Sequence, residues 1–209
     1  VLVFFHDGGY NNGSSIESAA YDGKNLSEYG DAVVVTVNHR LNALGFLDLS
    51  AYGDEYENTG NLGIADLVAS LQWIKDNIET FGGDPDNVTI FGQSGGGGKV
   101  LTLMKTPAAE GLFDKVICES AVFGRIDNTQ EVTQQAAAYT LENLGLDESQ
   151  VDELKTMDYT DLVTAGASAY DKITEERGKI AFNTRGYAWA PSVDNKYVME
   201  DYCDWAADI

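Results

Sequence analysis

Short apolar runs and longer amphipathic stretches alternate along the first part of this chain. The apolar runs are nearly continuous, as expected of strands that are buried on both faces. Stretches with apolar residues every three or four positions lie between them, which is typical of helices packed on a sheet. The pattern predicts an α/β fold, a mostly parallel sheet with helices on both faces. Its strands are expected at residues 1–6, 32–38, 87–91 and Lys115–Glu119.

One long helix is predicted at residues 63–81, between the second and third strands. The turn at residues 82–85, Gly-Gly-Asp-Pro, ends this helix and leads the chain into the third strand. The arrangement is a βαβ unit. The residues assigned to the apolar face of the helix are Ile64, Leu67, Val68, Leu71, Trp73, Ile74 and Ile78.

Residues 124–209 are more polar, and their periodicity is helical. A helix is predicted at 131–144, with Ala137, Leu141 and Leu144 on its apolar side, and two shorter helices are expected to follow. No linker separates this region from residues 1–123, so we expect one partial domain over 1–209, a sheet core with an attached helical region. Because the chain starts directly in a strand, we also expect a fragment of a longer protein.

The charge balance excludes some classes of partner. Thirty-four acidic and 13 basic residues give a formal net charge of −21, which repels nucleic acid and anionic membrane surfaces. No apolar stretch is long enough to span a membrane, and no acidic segment has calcium-loop spacing, so no metal or cofactor is predicted. Cys118 lies in a predicted strand, where a buried free thiol is expected. The cysteines leave the redox compartment of the protein undetermined.

The segment 88–98, VTIFGQSGGGG, carries the candidate nucleophile, Ser94. An apolar strand runs into a G-x-S-x-G motif, and a helix-compatible stretch follows at 99–105. A serine at such a turn stands clear of the sheet, where a base can take its proton and a carbonyl carbon can approach. A phosphate-cradling loop is the alternative. A P-loop would need Ser or Thr after its lysine, however, and here Val100 follows Lys99.

A second motif, residues 6–10 (His-Asp-Gly-Gly-Tyr), follows the first strand. In α/β-hydrolases, an H-G-G-G type loop and the residue after the nucleophile supply the amides that bind the oxyanion. These motifs occur together with NHRLNALGFL at 38–47, a long segment at 60–96 and Glu-Ser at 119–120. In this combination the chain resembles the type B carboxylesterase family, which includes para-nitrobenzyl esterase and the cholinesterases. The match is strong over 1–123 and looser beyond.

The resemblance implies an α/β-hydrolase fold that is incomplete at both ends. It also implies a serine carboxylic ester hydrolase that acts on a small-molecule ester through an acyl-enzyme on Ser94. The amides of Gly8, Gly9 and Gly95 are then the expected oxyanion hole.

One further residue follows from the same resemblance, and two others are pocket candidates independently of it. Ser120 matches a serine that is buried in the family and supports the triad acid, although a serine that caps the strand end is an open alternative. Tyr10 and Phe123 are candidate substrate-pocket residues, and ordinary packing is the alternative for both.

Three features depart from the family pattern. Asp7 replaces the first glycine of the glycine run, and its charge would oppose an oxyanion unless it points to solvent or pairs with Arg40. Gly95 stands where the family usually has alanine, which keeps the amide and loosens the turn. No catalytic histidine is available, because His6 and His39, the two histidines of the chain, occupy motif positions and are interpreted as structural or loop-orienting.

The acid and the histidine of the triad are therefore expected beyond residue 209, and the isolated chain is expected to be inactive. Two other hypotheses stay open. The first is a non-catalytic, cholinesterase-like binding module. The second is an enzyme piece whose histidine comes from another polypeptide, which would make the remaining polypeptide of the same protein a partner.

Overall fold

The computed structural model describes residues 1–121, 127–179 and 186–209. Its main sheet has four parallel strands in the order β2-β1-β3-β4. In the register, Leu2 pairs with both Val34 and Thr89, and Thr89 pairs with Lys115. The α/β class and the parallel sheet predicted from the sequence are confirmed. The strands are β1 (Leu2–Phe5), β2 (Val34–Val37), β3 (Thr89–Gln93) and β4 (Lys115–Glu119).

The central strand β1 is covered on both faces. Val3 and Phe5 are fully buried on one face. Phe4 points to the other face, where its ring lies 4.6 Å from that of Tyr21 and 5.2 Å from that of Phe91, centroid to centroid. A strand with no solvent-facing side needs apolar residues at every position, which is why this run lacks the alternation of a half-exposed strand.

Helices fill the connections between the strands and most of the region after β4. The α-helices are α1 (Lys24–Gly30), α2 (Asn42–Phe46), α3 (Leu62–Asn77), α4 (Gly95–Leu103), α5 (Gln130–Leu144) and α6 (Tyr159–Arg177). The 3-10 helices are Ala19–Asp22, Ser50–Tyr52, Asp54–Tyr56, Thr59–Asn61, Ile78–Phe81, Pro107–Ala109, Glu148–Thr156 and Asp204–Asp208.

Helix α3 and the 3-10 turn behind it match the predicted helix closely. Gly82 ends the segment in the left-handed region, with φ of 82°, which its missing side chain allows. Trp73 was assigned to the apolar face, and this prediction is wrong: its side chain is half exposed and packs on Phe81. Position 73 lies beside the stripe, next to the fully buried Leu71 and the nearly fully buried Ile74.

Helix α4 starts earlier than the sequence predicted, at Gly95, so that a run of glycines is helical. Glycine is a poor helix former, and the reason for its use here is tertiary. A Cβ atom on Gly96 would lie 2.1 Å from the Phe5 carbonyl oxygen, and one on Gly97 would lie 3.0 Å from the Ala121 Cβ atom. The start of α4 therefore packs closer to β1 than any side chain would permit.

The region after β4 is built around two long helices that pack on each other, α5 and α6. At 19 residues, α6 is not one of the two shorter helices that the sequence predicted. A two-stranded parallel sheet, β5 (Asn128–Thr129) and β6 (Ser192–Val193), joins the two ends of the region. The buried carboxylate of Asp48 links this region to the first part of the chain. It accepts hydrogen bonds from the hydroxyl groups of Thr133, at 2.6 Å, and Ser192, at 3.0 Å.

Strands β2 and β4 are the outer strands of the sheet that the structure describes. On β4, Cys118 is exposed and Ile117 is 47% exposed, so the expected burial of Cys118 is wrong. An apolar strand sequence indicates a strand but not whether a neighbour covers it. Within the described residues, no helix is long and apolar enough to cross a membrane.

Candidate active site

The candidate site lies at the carboxyl ends of β1 and β3. Strands β1 and β3 are neighbours, with β2 beyond β1 and β4 beyond β3. The connection after β1 leads toward β2 and the connection after β3 leads toward β4, so the two run in opposite directions. Such a switch in strand order leaves a crevice at this edge of an open parallel sheet. The glycine loop at 6–10 and the turn at Ser94 meet there.

Ser94 occupies a sharp turn between β3 and α4. Its φ of 53° and ψ of −116° are strained for a residue with a side chain. Its amide donates to the Glu119 carbonyl at 2.9 Å, and its carbonyl accepts from the Gly98 amide at 3.0 Å. A Cβ atom on Gly92 would lie 2.5 Å from the Gly96 carbonyl carbon, so the turn needs glycine on both sides. This is the geometry of a nucleophile elbow.

The glycine loop after β1 lies directly against this turn. Gly8 and Gly9 have φ values of 83° and 65°, in the region that favours glycine. A Cβ atom on Gly95 would lie 2.3 Å from the Gly9 amide nitrogen. The amides of Gly8 and Gly9 donate to no carbonyl among the described residues, and Gly95, as the first residue of α4, has no partner within its helix. All three amides therefore lack a backbone acceptor among the described residues.

His6 and His39 are held by backbone carbonyl groups and by each other. Each Nδ1 atom lies 2.8 Å from a backbone carbonyl oxygen, that of Asp7 for His6 and that of Arg40 for His39. The two rings stack with centroids 5.3 Å apart. Burial, with a smaller contribution from the Lys99 charge, lowers the pKa of both rings, that of His39 to about 3. Neither ring hydrogen-bonds the Ser94 hydroxyl, nor does any other described residue.

Asp7 is half-buried beside the glycine loop, and Arg40 does not pair with it. The Arg40 guanidinium instead holds Asp66 through two bonds, Nε to Oδ2 at 2.9 Å and Nη2 to Oδ1 at 2.6 Å. Of the two predicted ways to offset the Asp7 charge, exposure to solvent and pairing with Arg40, the structure lacks the second. Burial raises the pKa of Tyr21, and the Asp7 charge raises it further.

Lys99 is a residue of this site that sequence reasoning missed. Its side chain is fully buried in α4, and its Nζ donates to the His6 carbonyl at 2.7 Å. Burial lowers the pKa of Lys99 to about 7, and the Asp7 charge opposes the shift. The signal in the sequence was a lysine inside the apolar helix, followed by Val100 and Leu101, where a solvated charge was not expected.

Tyr10, a candidate pocket residue, is packed in the core. Its hydroxyl group lies 2.9 Å from Thr102 Oγ1, and its ring meets Phe46 edge-on. This geometry corresponds to the packing alternative. The other pocket candidate, Phe123, lies outside the described residues.

Ser120 directly follows β4, lies in the left-handed region with φ of 47°, and is exposed. No described residue covers it, although the resemblance implies a buried serine at this position. Its support of the triad acid stays a prediction.

Other possible ligand sites lie elsewhere or are absent. A cavity of about 730 Å³ opens at the amino ends of β1 and β3, among Val1, Leu26 and Thr89, on the opposite edge of the sheet from Ser94. The described ranges contain no cluster of three or more His, Cys, Asp or Glu side chains that could hold a metal ion.

A parallel sheet with a strained serine between strand and helix, and glycine amides against that serine, defines an α/β-hydrolase. The model of the carboxylesterase family matches residues 1–205, and the chain belongs to this family. Its relatives include carboxylesterases, which are serine hydrolases.

Individual relatives agree with this assignment. The para-nitrobenzyl esterase of Bacillus subtilis (strain 168) is 43% identical over 165 residues, which are 79% of this chain and 33% of that protein. Acetylcholinesterase-1 of Trittame loki is 45% identical over 120 residues, 57% of this chain and 21% of that protein. A solved structure from Clostridium hathewayi is described as an esterase that can hydrolyse aliphatic aromatic polyesters. It has a TM-score of 0.86 and 45% identity, and the match covers 100% of this chain and 41% of that one.

Proposed function

We propose that this chain forms the nucleophile and oxyanion part of a serine carboxylic ester hydrolase that acts on small-molecule esters. The observation that carries the proposal is the contact between the strained Ser94 turn and the glycine loop, where the backbones of Gly95 and Gly9 meet. Membership of the carboxylesterase family supports ester hydrolysis as the reaction. The chemistry needs no metal or cofactor.

In the proposed mechanism, Ser94 Oγ attacks the ester carbonyl carbon while a base takes its proton. The negative charge that develops on the carbonyl oxygen is stabilised by the amides of Gly8, Gly9 and Gly95. The alcohol leaves with a proton from the protonated base, and water then hydrolyses the acyl-serine. Because the amides are backbone groups in a tightly packed turn, they need no rearrangement when the charge develops.

The base is proposed to come from polypeptide outside residues 1–209. His6 and His39 each bond a backbone carbonyl through Nδ1 and stack on each other, and neither ring hydrogen-bonds the Ser94 hydroxyl. The chain spans about a third of the length of the para-nitrobenzyl esterase it matches, so the relatives contain ample further sequence. Ser120 is proposed to support the triad acid once that sequence is present.

Covalent labelling with a fluorophosphonate probe tests the proposal. The probe is added to the 209-residue chain and to a longer natural polypeptide that contains it, and the adduct is located by peptide mass. In the longer polypeptide we expect labelling at Ser94, no labelling of Ser94→Ala, and full labelling of the control Thr164→Ala, a surface hydroxyl far along the chain. Hydrolysis of short p-nitrophenyl esters that survives Ser94→Ala would overturn the proposed nucleophile.

The same experiment decides where the base resides. No labelling of the 209-residue chain alone is the expected result. Labelling at Ser94 in that chain would overturn the proposed external base and would return His6 and His39 to consideration.

A non-catalytic binding module is the second candidate function. The observation that favours it is that no described residue hydrogen-bonds the Ser94 hydroxyl, while the Asp7 carboxylate lies near the glycine loop. Ester turnover by the longer polypeptide would exclude this function. If activity instead needs a separate chain that supplies the histidine, the native mass of the active species will exceed that of the polypeptide alone.

A further inference from the structure

Lys99 is buried where a lysine is costly to bury. Its side chain has no solvent exposure, and its neighbours on α4, Val100 and Leu103, belong to the hydrophobic core. Removing an ammonium group from water carries a large free-energy penalty unless polar partners compensate. Its hydrogen bond to the His6 carbonyl, at 2.7 Å, is that compensation.

The His6 carbonyl marks the point where β1 becomes the glycine loop. It belongs to the peptide group that joins His6 to Asp7, and Gly8 follows at once. On the other side, Gly96 packs so close that its added Cβ atom would lie 3.2 Å from this carbonyl oxygen. The lysine and the start of α4 therefore fix the direction in which the chain leaves the strand.

Lys99 also supplies a charge that the site otherwise lacks. Asp7 in the same loop is negative, and the Arg40 guanidinium is engaged by Asp66. His6 and His39 face the lysine from the loops after β1 and β2, and both have lowered pKa values, while Glu17 lies near enough to His6 to raise its pKa slightly. With both rings neutral, the lysine ammonium is the positive group whose charge acts on this loop.

We propose that Lys99 is a positioning residue of the oxyanion loop: its ammonium group holds the His6 carbonyl and offsets the Asp7 carboxylate where the oxyanion develops. The inference rests on the proposed function for its catalytic consequence. The ordering of the loop at residues 6–10 by Lys99 does not depend on ester turnover.

The pH dependence of activity separates the charge of Lys99 from its hydrogen bond. The ammonium form exists below the pKa of about 7. Above that pH the amine is neutral, so it still donates to the His6 carbonyl but no longer balances Asp7. We expect kcat/KM of the longer polypeptide to decline on the alkaline side from near neutral pH.

Two substitutions test this assignment. Lys99→Met keeps the length and removes both charge and donor, and we expect kcat/KM at pH 7 to fall about 30-fold and the alkaline decline to disappear. Lys99→Arg keeps a charge at all accessible pH values, and we expect partial activity with the alkaline decline likewise removed. An alkaline decline unchanged in Lys99→Met, with melting temperature preserved, would overturn the electrostatic role.

Hydrogen exchange of the loop amides provides a readout that needs no substrate. We expect the amides of Asn11 and Asn12, which donate to the Gly8 carbonyl, to exchange about tenfold faster in Lys99→Met than in the unsubstituted protein, while amides of β3 stay unchanged. Equal exchange in the two proteins would overturn the positioning role. If the unsubstituted protein hydrolyses no ester but the loop exchange still responds, the proposed function fails and the positioning role stands.

Discussion

A Cβ atom added to Gly95 would lie 2.3 Å from the amide nitrogen of Gly9. No side chain separates the turn that carries Ser94 from the loop after β1, so the two backbones are in direct contact. A shift of either segment must move the other. Glycine at position 95 is what allows this approach, because a Cβ atom there would overlap the Gly9 backbone.

Replacing Ser94 with glycine should stabilise the fold while it abolishes activity. Glycine adopts a φ of 53° without strain, and relief of strain at one such residue amounts to about 1 kcal/mol. Ser94→Ala is the matched control, because alanine also removes the hydroxyl group but keeps the Cβ atom. Urea unfolding should give a higher midpoint for Ser94→Gly than for Ser94→Ala. Equal midpoints would argue against strain at this turn.

Gly96→Ala should destabilise the chain strongly. The new Cβ atom would lie 2.1 Å from the Phe5 carbonyl oxygen, a backbone atom that cannot move without disturbing β1, and we expect a loss of about 3 kcal/mol. Gly30→Ala is the control, because nothing lies within 4 Å of its added Cβ atom and alanine favours the helix by about 0.5 kcal/mol. Thermal melting of both variants checks the contrast. A mild effect at Gly96 would mean that α4 packs more loosely.

His39 should make the fold sensitive to acid. The pKa of this ring is lowered from 6.5 to about 3, chiefly by burial, so the folded state favours the neutral form. The stability that this provides is complete above pH 6.5 and is lost as the pH falls toward 3. His39→Phe keeps a ring on His6 and removes the titration. Urea midpoints across this pH range should fall less steeply for His39→Phe, and parallel curves would contradict the prediction.

Tyr159→Phe should weaken the connection between α6 and the loop after β1. The Asn42 side-chain amide donates to the Tyr159 hydroxyl at 2.9 Å and to the Asn11 carbonyl at 3.1 Å, so one tyrosine joins the helix to that loop. Loss of the hydroxyl should cost about 1 kcal/mol in the free energy of unfolding. Tyr202→Phe, at an exposed site, is the control and should cost nothing measurable. Equal effects of the two changes would mean that the bond contributes no stability.

The strands and the elbow could be predicted because their signals are local. A buried parallel strand needs an unbroken apolar run, and the turn at Ser94 needs glycines on both sides, so both leave a mark within a few residues. The motif residues Gly8, Gly9 and Gly95 gather at one edge because parallel strands present their carboxyl ends together.

The errors arose where contacts between distant segments decide the outcome. The helical glycines of α4 depend on how close β1 lies, and the exposure of Cys118 depends on whether another strand covers β4. Lys99 was missed for the same reason, since its partner is a backbone carbonyl far away in sequence. A side chain's identity does not reveal which carbonyl it will meet.

The pairing of Leu2 with Thr89 has a consequence for folding kinetics. Closing a loop of this length is slow, and the pairing must form before the glycine loop and Ser94 can meet. The contact between the glycine loop and the Ser94 turn is therefore absent from early collapsed states, however much helix they contain. During refolding of the longer polypeptide, we expect probe labelling at Ser94 to follow completion of the central sheet rather than growth of the helices.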